Sequence, residues 1–290
     1  MSGRALWVWV DGTLVPADAA VVSVYDRGFR TGEGVFETLR AYGGHVFRLD
    51  AHLRRARAGA AELGFDPGPA TRLVAAVQQT TDRNLAAFDG ADTAVRLTIS
   101  AGAVEPDSPI PGRPTGTPTV VVTSHPLAPA RTSMTAVSVD LARELPHVKA
   151  VSYLVAVMAR RQAAQRGADE ALLTDGAGRV FEGASSNLFV VRDGEVLTPP
   201  SDGGLLAGVT RQVVLELAED AGLGVTERSL DLAEVHGAQE AFLTSTTREL
   251  VPLVAVDGRP LGTGAGPGPV TAQLQRAYVD EVRRERDAAS

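Results

Sequence analysis

The chain of 290 residues contains no cysteine. Disulfides, zinc sites built from thiolates and cysteine nucleophiles are therefore excluded, and we predict no metal site. Long apolar runs are missing as well: Leu6–Val10 and Leu154–Met158 are among the longest, and both fall well short of the roughly 18 residues that a membrane-spanning helix needs. The first residues also lack a basic segment followed by an apolar one, so we expect a cytoplasmic protein.

The chain also has no surplus of positive charge: its formal net charge is −7. This balance argues against a general nucleic-acid binder, which needs a basic surface to attract phosphates. Apolar residues make up 44% of the chain and the mean hydropathy is +0.02. These values predict a soluble globular protein whose length permits one large domain or two moderate ones.

Lysine is almost absent. The chain has 28 basic residues counted as lysine plus arginine, and only Lys149 is a lysine, which leaves 27 arginines. Arginine can form salt bridges and clamp phosphates, but it cannot lose its proton near neutral pH and attack a carbonyl as a free amine. A lone lysine therefore favours Schiff-base chemistry, for which pyridoxal phosphate is the commonest cofactor. On composition alone, chance survival of one lysine is the alternative.

Apolar periodicity and turn residues indicate a mixed helix and strand architecture. The predicted strands include 6–10, 20–24 and 35–42, and the predicted helices are 48–63, 70–86, 209–221 and a terminal helix from about residue 270. Five prolines between residues 103 and 118 predict a mobile loop. The proline-containing stretch near residue 126 predicts a domain boundary, with domains over 1–125 and 133–290 and a linker over 126–132.

Glu182 is a candidate partner for the ring of such a cofactor. It lies in the segment FEGASSNLF, whose small residues leave room for a flat ligand. A carboxylate beside a pyridine nitrogen keeps that nitrogen protonated, so that the ring withdraws electrons from the substrate. The alternative is that Glu182 caps a turn at Gly183.

Three segments offer groups that could hold a phosphate. A helix predicted to start after Gly208 presents backbone N–H groups, the run TSTTREL places hydroxyls at a strand end, and the first long helix carries arginines. An ordinary helix start, a solvated threonine turn and a solvent-facing helix are the respective alternatives. The candidates are Arg54, Arg55, Arg57, Val209, Thr210, Ser245 and Thr246.

The joint order of these motifs resembles the class IV aminotransferase family. The motifs are RGF, GEGVFETLR, RLDAHLRR, Lys149 with Tyr153 four residues on, EGASSNLF, GVTR and TSTTRE, and the resemblance runs from about residue 5 to 280. This family is the pyridoxal phosphate group of fold type IV, with branched-chain aminotransferases, D-amino-acid aminotransferases and 4-amino-4-deoxychorismate lyases. The resemblance implies an α+β fold of two domains, a small N-terminal α/β domain and a larger domain with a barrel-like sheet, and a homodimer.

The resemblance also implies roles for individual residues. Lys149 would form the aldimine with pyridoxal 5'-phosphate and move the proton between the substrate Cα and the cofactor. Glu182 would pair with the pyridine nitrogen, and Tyr153 would hydrogen-bond the ring hydroxyl. The phosphate would be held by Arg55, Val209 through its backbone, Thr210, Ser245 and Thr246.

No subgroup of the family fits cleanly. L-branched-chain enzymes carry FEGIR where this chain has Phe36 to Arg40 in the order FETLR, and Thr38 in place of glycine should crowd their side-chain pocket. The lyases favour an arginine-bearing, glycine-rich turn after the next long strand. The best-known D-amino-acid enzymes use an arginine and a histidine in that region. Here that region reads SAGAVEPDSP.

An amino acid substrate brings a carboxylate that must be neutralised in a partly dry site. Arg30 and Arg96 lie in segments that resemble active-site lining, and we expect them to form the carboxylate trap, where a second subunit could supply one of them. With Thr38, this favours a D-amino-acid aminotransferase. The alternatives are an aminodeoxychorismate lyase, an L-branched-chain aminotransferase, and a non-enzymatic domain that binds anionic metabolites. An interior salt bridge for Arg96 and a solvated loop for Arg30 are the alternatives to the trap.

Overall fold

The computed structural model describes residues 6–105, 116–202, 204–264 and 266–289. The chain forms two compact units. The first contains the residues up to Ala128 together with Val148–Ser152, and the second contains Pro129–His147 and Tyr153–Asp287. The break after Ala128 falls within the segment 126–132. The segment Val148–Ser152, which the sequence analysis assigned to the second domain, belongs to the first unit because it pairs with a strand of that unit.

The first unit is an antiparallel sheet with two long helices. Its strands are β1 (Trp7–Val10), β2 (Thr13–Pro16), β3 (Gly34–Tyr42), β4 (His45–Val46), β5 (Thr93–Ser100) and β6 (Thr119–Pro126). Its helices are α1 (Arg27–Thr31), α2 (Leu49–Glu62) and α3 (Ala70–Leu85), with 3-10 turns at Ala17–Ala19 and Ala86–Phe88. The strand order is β2-β1-β6-β5-β3-β4. Every neighbouring pair is antiparallel.

The core of this unit lies between one face of the sheet and helices α2 and α3. Leu39 and Leu97 from the strands pack in one cluster with Leu53, Ala60 and Leu73 from the helices. Each such leucine contributes roughly 1.5–3 kcal/mol through burial. The helices predicted over 48–63 and 70–86 are confirmed, since the three- and four-residue apolar spacing marks the faces that meet the sheet.

The strand predicted over 20–24 is wrong. These residues form no strand, and Val21, Val22 and Val24 are exposed. Consecutive valines have high β propensity, but without alternation they have no buried face to set a strand pairing. Most of the loop predicted over 103–118 lies outside the described residues, which resume at 116.

The second unit contains a larger sheet and four helices in the part of the chain that the structure describes. Its strands are β7 (Met134–Asp140), β8 (Glu170–Thr174), β9 (Arg179–Gly183), β10 (Asn187–Arg192), β11 (Glu195–Thr198), β12 (Val225–Glu227), β13 (Leu230–Asp231), β14 (Glu240–Ser245), β15 (Glu249–Val256) and β16 (Arg259–Pro260). Its helices are α4 (Leu154–Gln165), α5 (Val209–Asp220), α6 (Leu232–His236) and α7 (Pro269–Ala288). Among the described helices, none is both long enough and apolar enough to cross a bilayer.

This second sheet curls into a barrel-like form. Its strand order is β12-β11-β10-β14-β15-β7-β8-β9-β13, with β16 beside β15. Four strands lie between β9 and β10 in this order, yet a bridge between Gly183 and Ser186 joins the end of β9 to the approach to β10. The curvature therefore brings β9 next to β10, and the two-domain α+β fold with a barrel-like sheet that the sequence predicts is confirmed.

The segment that carries the lysine is an added edge beside β3. The backbone N–H of Phe36 donates to the carbonyl of Lys149 at 2.9 Å, and the N–H of Val151 donates to the carbonyl of Gly34 at 2.8 Å. A Cβ atom at Gly34 would lie 2.7 Å from the Ile99 carbonyl oxygen, closer than such atoms approach. Glycine at this position therefore lets the neighbouring strand and the lysine segment both lie close to β3.

Candidate active site

In the first unit, Lys149 and Arg96 contact the same aromatic ring. The lysine ammonium nitrogen lies 4.7 Å from the centre of the Phe36 ring, and the Arg96 guanidinium carbon lies 3.8 Å from it. Phe36 is buried, while the two cations are half-buried. Contacts at these distances are favourable cation–π interactions, so Phe36 fixes the positions of both cationic groups.

Thr38 belongs to the same group. Side chains alternate along β3, so Phe36 and Thr38 lie on the face opposite to the one that packs against α2 and α3. Thr38 is the direct cross-strand partner of Arg96 on β5. The structure therefore brings together four residues that the sequence analysis selected: Lys149, Phe36, Thr38 and Arg96.

Arg30 is held by a different feature. It occupies the last turn of α1, whose start is capped by the buried Asp26 carboxylate through the N–H of Gly28 at 2.8 Å. The Ser100 hydroxyl donates to the other Asp26 oxygen at 2.6 Å, which ties α1 to the end of β5. Arg96 lies four residues earlier on β5, roughly 13 Å along the strand. Arg30 is therefore positioned by helix α1, and Arg96 is positioned by strand β5 and the Phe36 ring.

Arg55 forms a buried charged cluster with Glu37 and His52. Its Nε donates to one carboxylate oxygen of Glu37 at 2.7 Å, and its Nη2 donates to the other at 2.6 Å. The Nδ1 atom of His52 lies 2.7 Å from the second of these oxygens. Glu37 is fully buried, because the alternation of β3 points it toward α2. Of the neighbouring arginines, Arg54 is exposed and Arg57 donates to the carbonyl of Gly68.

The cluster has a definite charge state. Burial raises the pKa of Glu37, but the charge and hydrogen bonds of Arg55, together with His52, outweigh burial and lower that pKa to about 2. Burial lowers the pKa of His52, against the opposing effect of Glu37. Near neutral pH the cluster therefore combines an anionic Glu37, a cationic Arg55 and a neutral His52.

In the second unit, Glu182 is the centre of a buried polar network. Its carboxylate lies 3.1 Å from Nε of Arg143, and it accepts from the backbone N–H of Leu206 at 3.2 Å and from the Asn187 amide at 3.3 Å. The contacts with Arg143 and Leu206 join residues 39 and 24 positions away along the chain, whereas a side chain capping the turn at Gly183 would bond to its immediate neighbours. Glu182 therefore has polar partners well beyond the turn at Gly183, and its pairing with a cofactor ring stays a prediction.

Asn187 connects this network to the start of α5. Its amide nitrogen also donates to the Leu206 carbonyl at 2.9 Å. Its amide oxygen would lie only 2.0 Å from a Cβ atom at Gly208, which is too close for any residue with a side chain. Glycine at position 208 therefore allows the Asn187 side chain to lie against the backbone at the start of α5. Val209 and Thr210 open α5 directly after Gly208 and are buried, and none of the described side chains caps the helix at this end. The first N–H groups of α5 are therefore suited to an anion.

Tyr153 lies on the other side of Arg143. The tyrosine hydroxyl donates to the Ala184 carbonyl at 3.3 Å, and a terminal nitrogen of Arg143 donates to the same carbonyl at 2.9 Å. Burial raises the pKa of Tyr153, so its hydroxyl keeps its proton near neutral pH. Tyr153, Arg143 and Glu182 thus form one connected group.

Ser245 is the last residue of β14, and Thr246 begins the turn that leads into β15. The next basic residue, Arg248, donates from Nε to the Ser245 hydroxyl at 3.1 Å and from Nη2 to the Ser185 hydroxyl at 2.9 Å. The same Nη2 lies 3.0 Å from the fully buried Glu170 carboxylate. Arg248 therefore ties the turn to the segment that follows Glu182.

Sequence reasoning missed several members of these networks. Glu37 and His52 left a usable signal, because alternation in β3 and helical spacing in α2 put both polar side chains on buried faces. Asn187 lies inside a recognised motif, but its link to Gly208 depends on the fold. Arg248 lies inside the recognised TSTTRE motif, but its contacts depend on the fold, and Arg143 left no distinguishing signal among 27 arginines.

A family model described as amino-transferase class IV matches residues 34–256. The D-alanine aminotransferase of Bacillus licheniformis is 32% identical over 284 residues, which cover 96% of this chain and 98% of that protein. The solved branched-chain aminotransferase of Thermoproteus uzoniensis with norvaline superposes with a TM-score of 0.85 at 32% identity, covering 95% of this chain and 94% of that one. The solved branched-chain amino acid aminotransferase of Escherichia coli gives a TM-score of 0.82 at 28% identity, with coverages of 95% and 94%.

The charge state of the Arg55 cluster predicts an acid-sensitive contribution to folding. The pKa of Glu37 is lower in the folded protein than in the unfolded chain, so its contribution is complete above about pH 4.5 and is lost as the pH falls toward 2. The wild type should therefore lose more unfolding free energy than Glu37→Gln between about pH 6 and about pH 3, measured by urea denaturation. Asp50→Asn, at an exposed position on α2, is the control. Equal losses in the wild type and Glu37→Gln would contradict the prediction.

Proposed function

Because the chain belongs to the class IV aminotransferase family, we propose that it uses pyridoxal phosphate to move an amino group between an amino acid and a 2-keto acid. The observation that carries this proposal is the placement of the only lysine. Lys149 is held by backbone pairing with β3, and its ammonium group lies against Phe36 beside Arg96. A residue fixed in this way is suited to repeated chemistry at one position.

The residues of each unit fit the chemistry of this cofactor. A buried carboxylate such as Glu182 suits a protonated pyridine nitrogen, and the capless start of α5 beside Gly208 suits a phosphate. The buried hydroxyl of Thr244 has no hydrogen-bond partner within the described residues, and Thr244 pairs across the sheet with Asn187. Unpaired buried hydroxyls are costly and call for a polar partner.

Individual roles follow from this fit. We assign Lys149 to the cofactor's carbonyl carbon, Glu182 to the ring nitrogen and Tyr153 to the ring hydroxyl. The phosphate is assigned to Arg55, Val209, Thr210, Ser245 and Thr246. When bound, the cofactor supplies an electron-withdrawing ring that makes the substrate Cα–H acidic.

Proton transfer is then the task of Lys149. Once a substrate amine has displaced it, its neutral amine takes the Cα proton and later returns a proton to the carbon that receives the amino group. Phe36 limits where the amine can move, and the protonated Tyr153 hydroxyl can donate to an anionic oxygen by turning its O–H away from the Ala184 carbonyl. The buried Glu182 carboxylate would stabilise a positive charge on a ring nitrogen held beside it.

For the substrate, we propose D-amino acids such as D-alanine. Thr38 is half-buried next to Arg96 on the open face of β3, where its side chain narrows the space available to a branched substrate. Identity does not separate the two substrate classes, because it is 32% both to the D-alanine aminotransferase and to the branched-chain enzyme of Thermoproteus uzoniensis, so Thr38 carries the choice. L-Branched-chain amino acids are the second candidate, because the superposed solved structures are branched-chain aminotransferases.

A transamination assay tests the function and the substrate together. The purified protein with pyridoxal phosphate should convert D-alanine and 2-oxoglutarate to pyruvate and glutamate, with a rate at least about tenfold above that with L-leucine. Faster reaction with L-leucine would replace the D-specific proposal with the branched-chain one. No amino transfer from either, together with pyruvate release from aminodeoxychorismate, would replace transamination with the lyase reaction.

Arg30 and Arg96 are proposed to bind the substrate carboxylate. Losing a charge-assisted hydrogen bond to a carboxylate costs about tenfold or more in binding. We therefore expect Arg96→Ala and Arg30→Ala to raise the KM for the amino acid by about tenfold or more, while Arg54→Ala, which removes an exposed arginine of α2, leaves it unchanged. Unchanged KM values in both variants would rule out the carboxylate trap.

We also propose a homodimer. Val21, Val24 and Phe29 are exposed within one short stretch of the chain in the first unit, and the exposed face of α4 in the second unit carries Leu154 and Val157. Apolar groups exposed in this way are typical of association surfaces. Multi-angle light scattering should give twice the chain mass of 30.3 kDa. A mass of one chain at micromolar concentration would contradict the dimer.

A further inference from the structure

Arg55 is held by its neighbours more tightly than the other arginines of α2. Its guanidinium group uses Nε and Nη2 to bind both oxygens of Glu37, and the arginine side chain is only 13% exposed. A bidentate pair of this kind fixes the plane of the guanidinium group as well as its position.

We propose that Glu37 is a positioning residue for the cofactor phosphate, which it serves by fixing the guanidinium group of Arg55. This inference rests on the proposed function, in which Arg55 binds the phosphate of pyridoxal phosphate. Glu37 itself does not bind the cofactor. It lies on the core-facing side of β3, where it binds Arg55 and His52 from α2.

The first support is the entropy of the arginine side chain. A long side chain loses rotamer freedom when it binds a ligand, and a side chain that is already held in the bound geometry loses less. His52 and Arg55 lie three residues apart on α2, so both reach the same carboxylate from one helix face. The cluster therefore fixes Arg55 relative to β3, the strand that also pairs with the lysine segment.

The second support is the sign of the charges. Glu37 is anionic and His52 is neutral, so Glu37 cancels the charge of Arg55 that would attract a phosphate. If charge alone decided phosphate binding, Glu37 would weaken it and its removal would strengthen it. If positioning decides, removal weakens binding. The two accounts predict changes of opposite direction, so one variant separates them.

The experiment compares pyridoxal phosphate with pyridoxal, which has the same carbonyl and ring but lacks the phosphate. Dissociation constants for both are measured by visible absorption with the wild type and with Glu37→Gln. We expect Glu37→Gln to weaken pyridoxal phosphate binding by about tenfold to a hundredfold and to leave pyridoxal binding unchanged. Tighter binding of pyridoxal phosphate, or an unchanged ratio of the two constants, would overturn the proposal.

A second variant and two controls complete the experiment. Glu37→Asp keeps the negative charge but is one methylene too short for the same bidentate pair, so the same selective loss is expected; Arg54→Gln should change neither constant. In the background of Arg55→Gln, which by itself weakens pyridoxal phosphate binding, a further Glu37→Gln substitution should have little added effect. A full additional loss there would show that Glu37 acts independently of Arg55 and would also overturn the proposal.

The design separates failure of this inference from failure of the proposed function. Pyridoxal binding by a variant shows that its lysine site is folded. If Glu37→Gln binds neither compound, the comparison of the two dissociation constants is made with Glu37→Asp instead. If the wild type bound neither compound, the proposed function would fall and this inference with it. If the wild type bound pyridoxal phosphate and both Glu37 variants kept the wild-type ratio, the proposed function would stand and this inference alone would fall.

Discussion

Pairing of the Val148–Ser152 segment with β3 is the constraint on which the rest of the first unit depends. Two backbone hydrogen bonds fix the only lysine of the chain beside a strand whose two faces have different tasks. One face carries Phe36 and Thr38, next to Lys149 and Arg96. The other carries Glu37 into the core, where it binds Arg55. A single strand thus positions both the reactive amine and the arginine assigned to the phosphate.

In the second unit, the curved sheet and the turn from β9 into β10 position the polar side chains. Strands β9 and β10 are distant in the sheet order, yet the curl and the Gly183–Ser186 bridge bring them side by side. Glu182 is the next-to-last residue of β9 and Asn187 is the first residue of β10, so the short turn between these strands brings the carboxylate next to the amide that donates to it. The start of α5 follows from the same contact, since Asn187 packs against Gly208.

Much of the fold was predictable from local pattern, because helix α2 buries apolar residues at three- and four-residue spacing and the Gly43-Gly44 turn marks the end of β3. The positions of Lys149 and Glu182 followed from their rarity and from their motifs, although their roles stay proposals. The partners Arg143 and Arg248 were not predictable, since their contacts join residues 39 and 78 positions away along the chain and depend on the closed sheet. The strand predicted over 20–24 failed because propensity without a buried face does not fix a strand.

The central claim is that Lys149 carries the cofactor, and the single lysine makes that claim directly measurable. The protein is incubated with pyridoxal phosphate and reduced with sodium borohydride, which converts a cofactor bound through its carbonyl to an amine into a stable adduct. Peptide mass spectrometry then locates the adduct. The account predicts one phosphopyridoxyl group on the peptide that contains Lys149. An adduct confined to the N-terminal amine, or none, would contradict it.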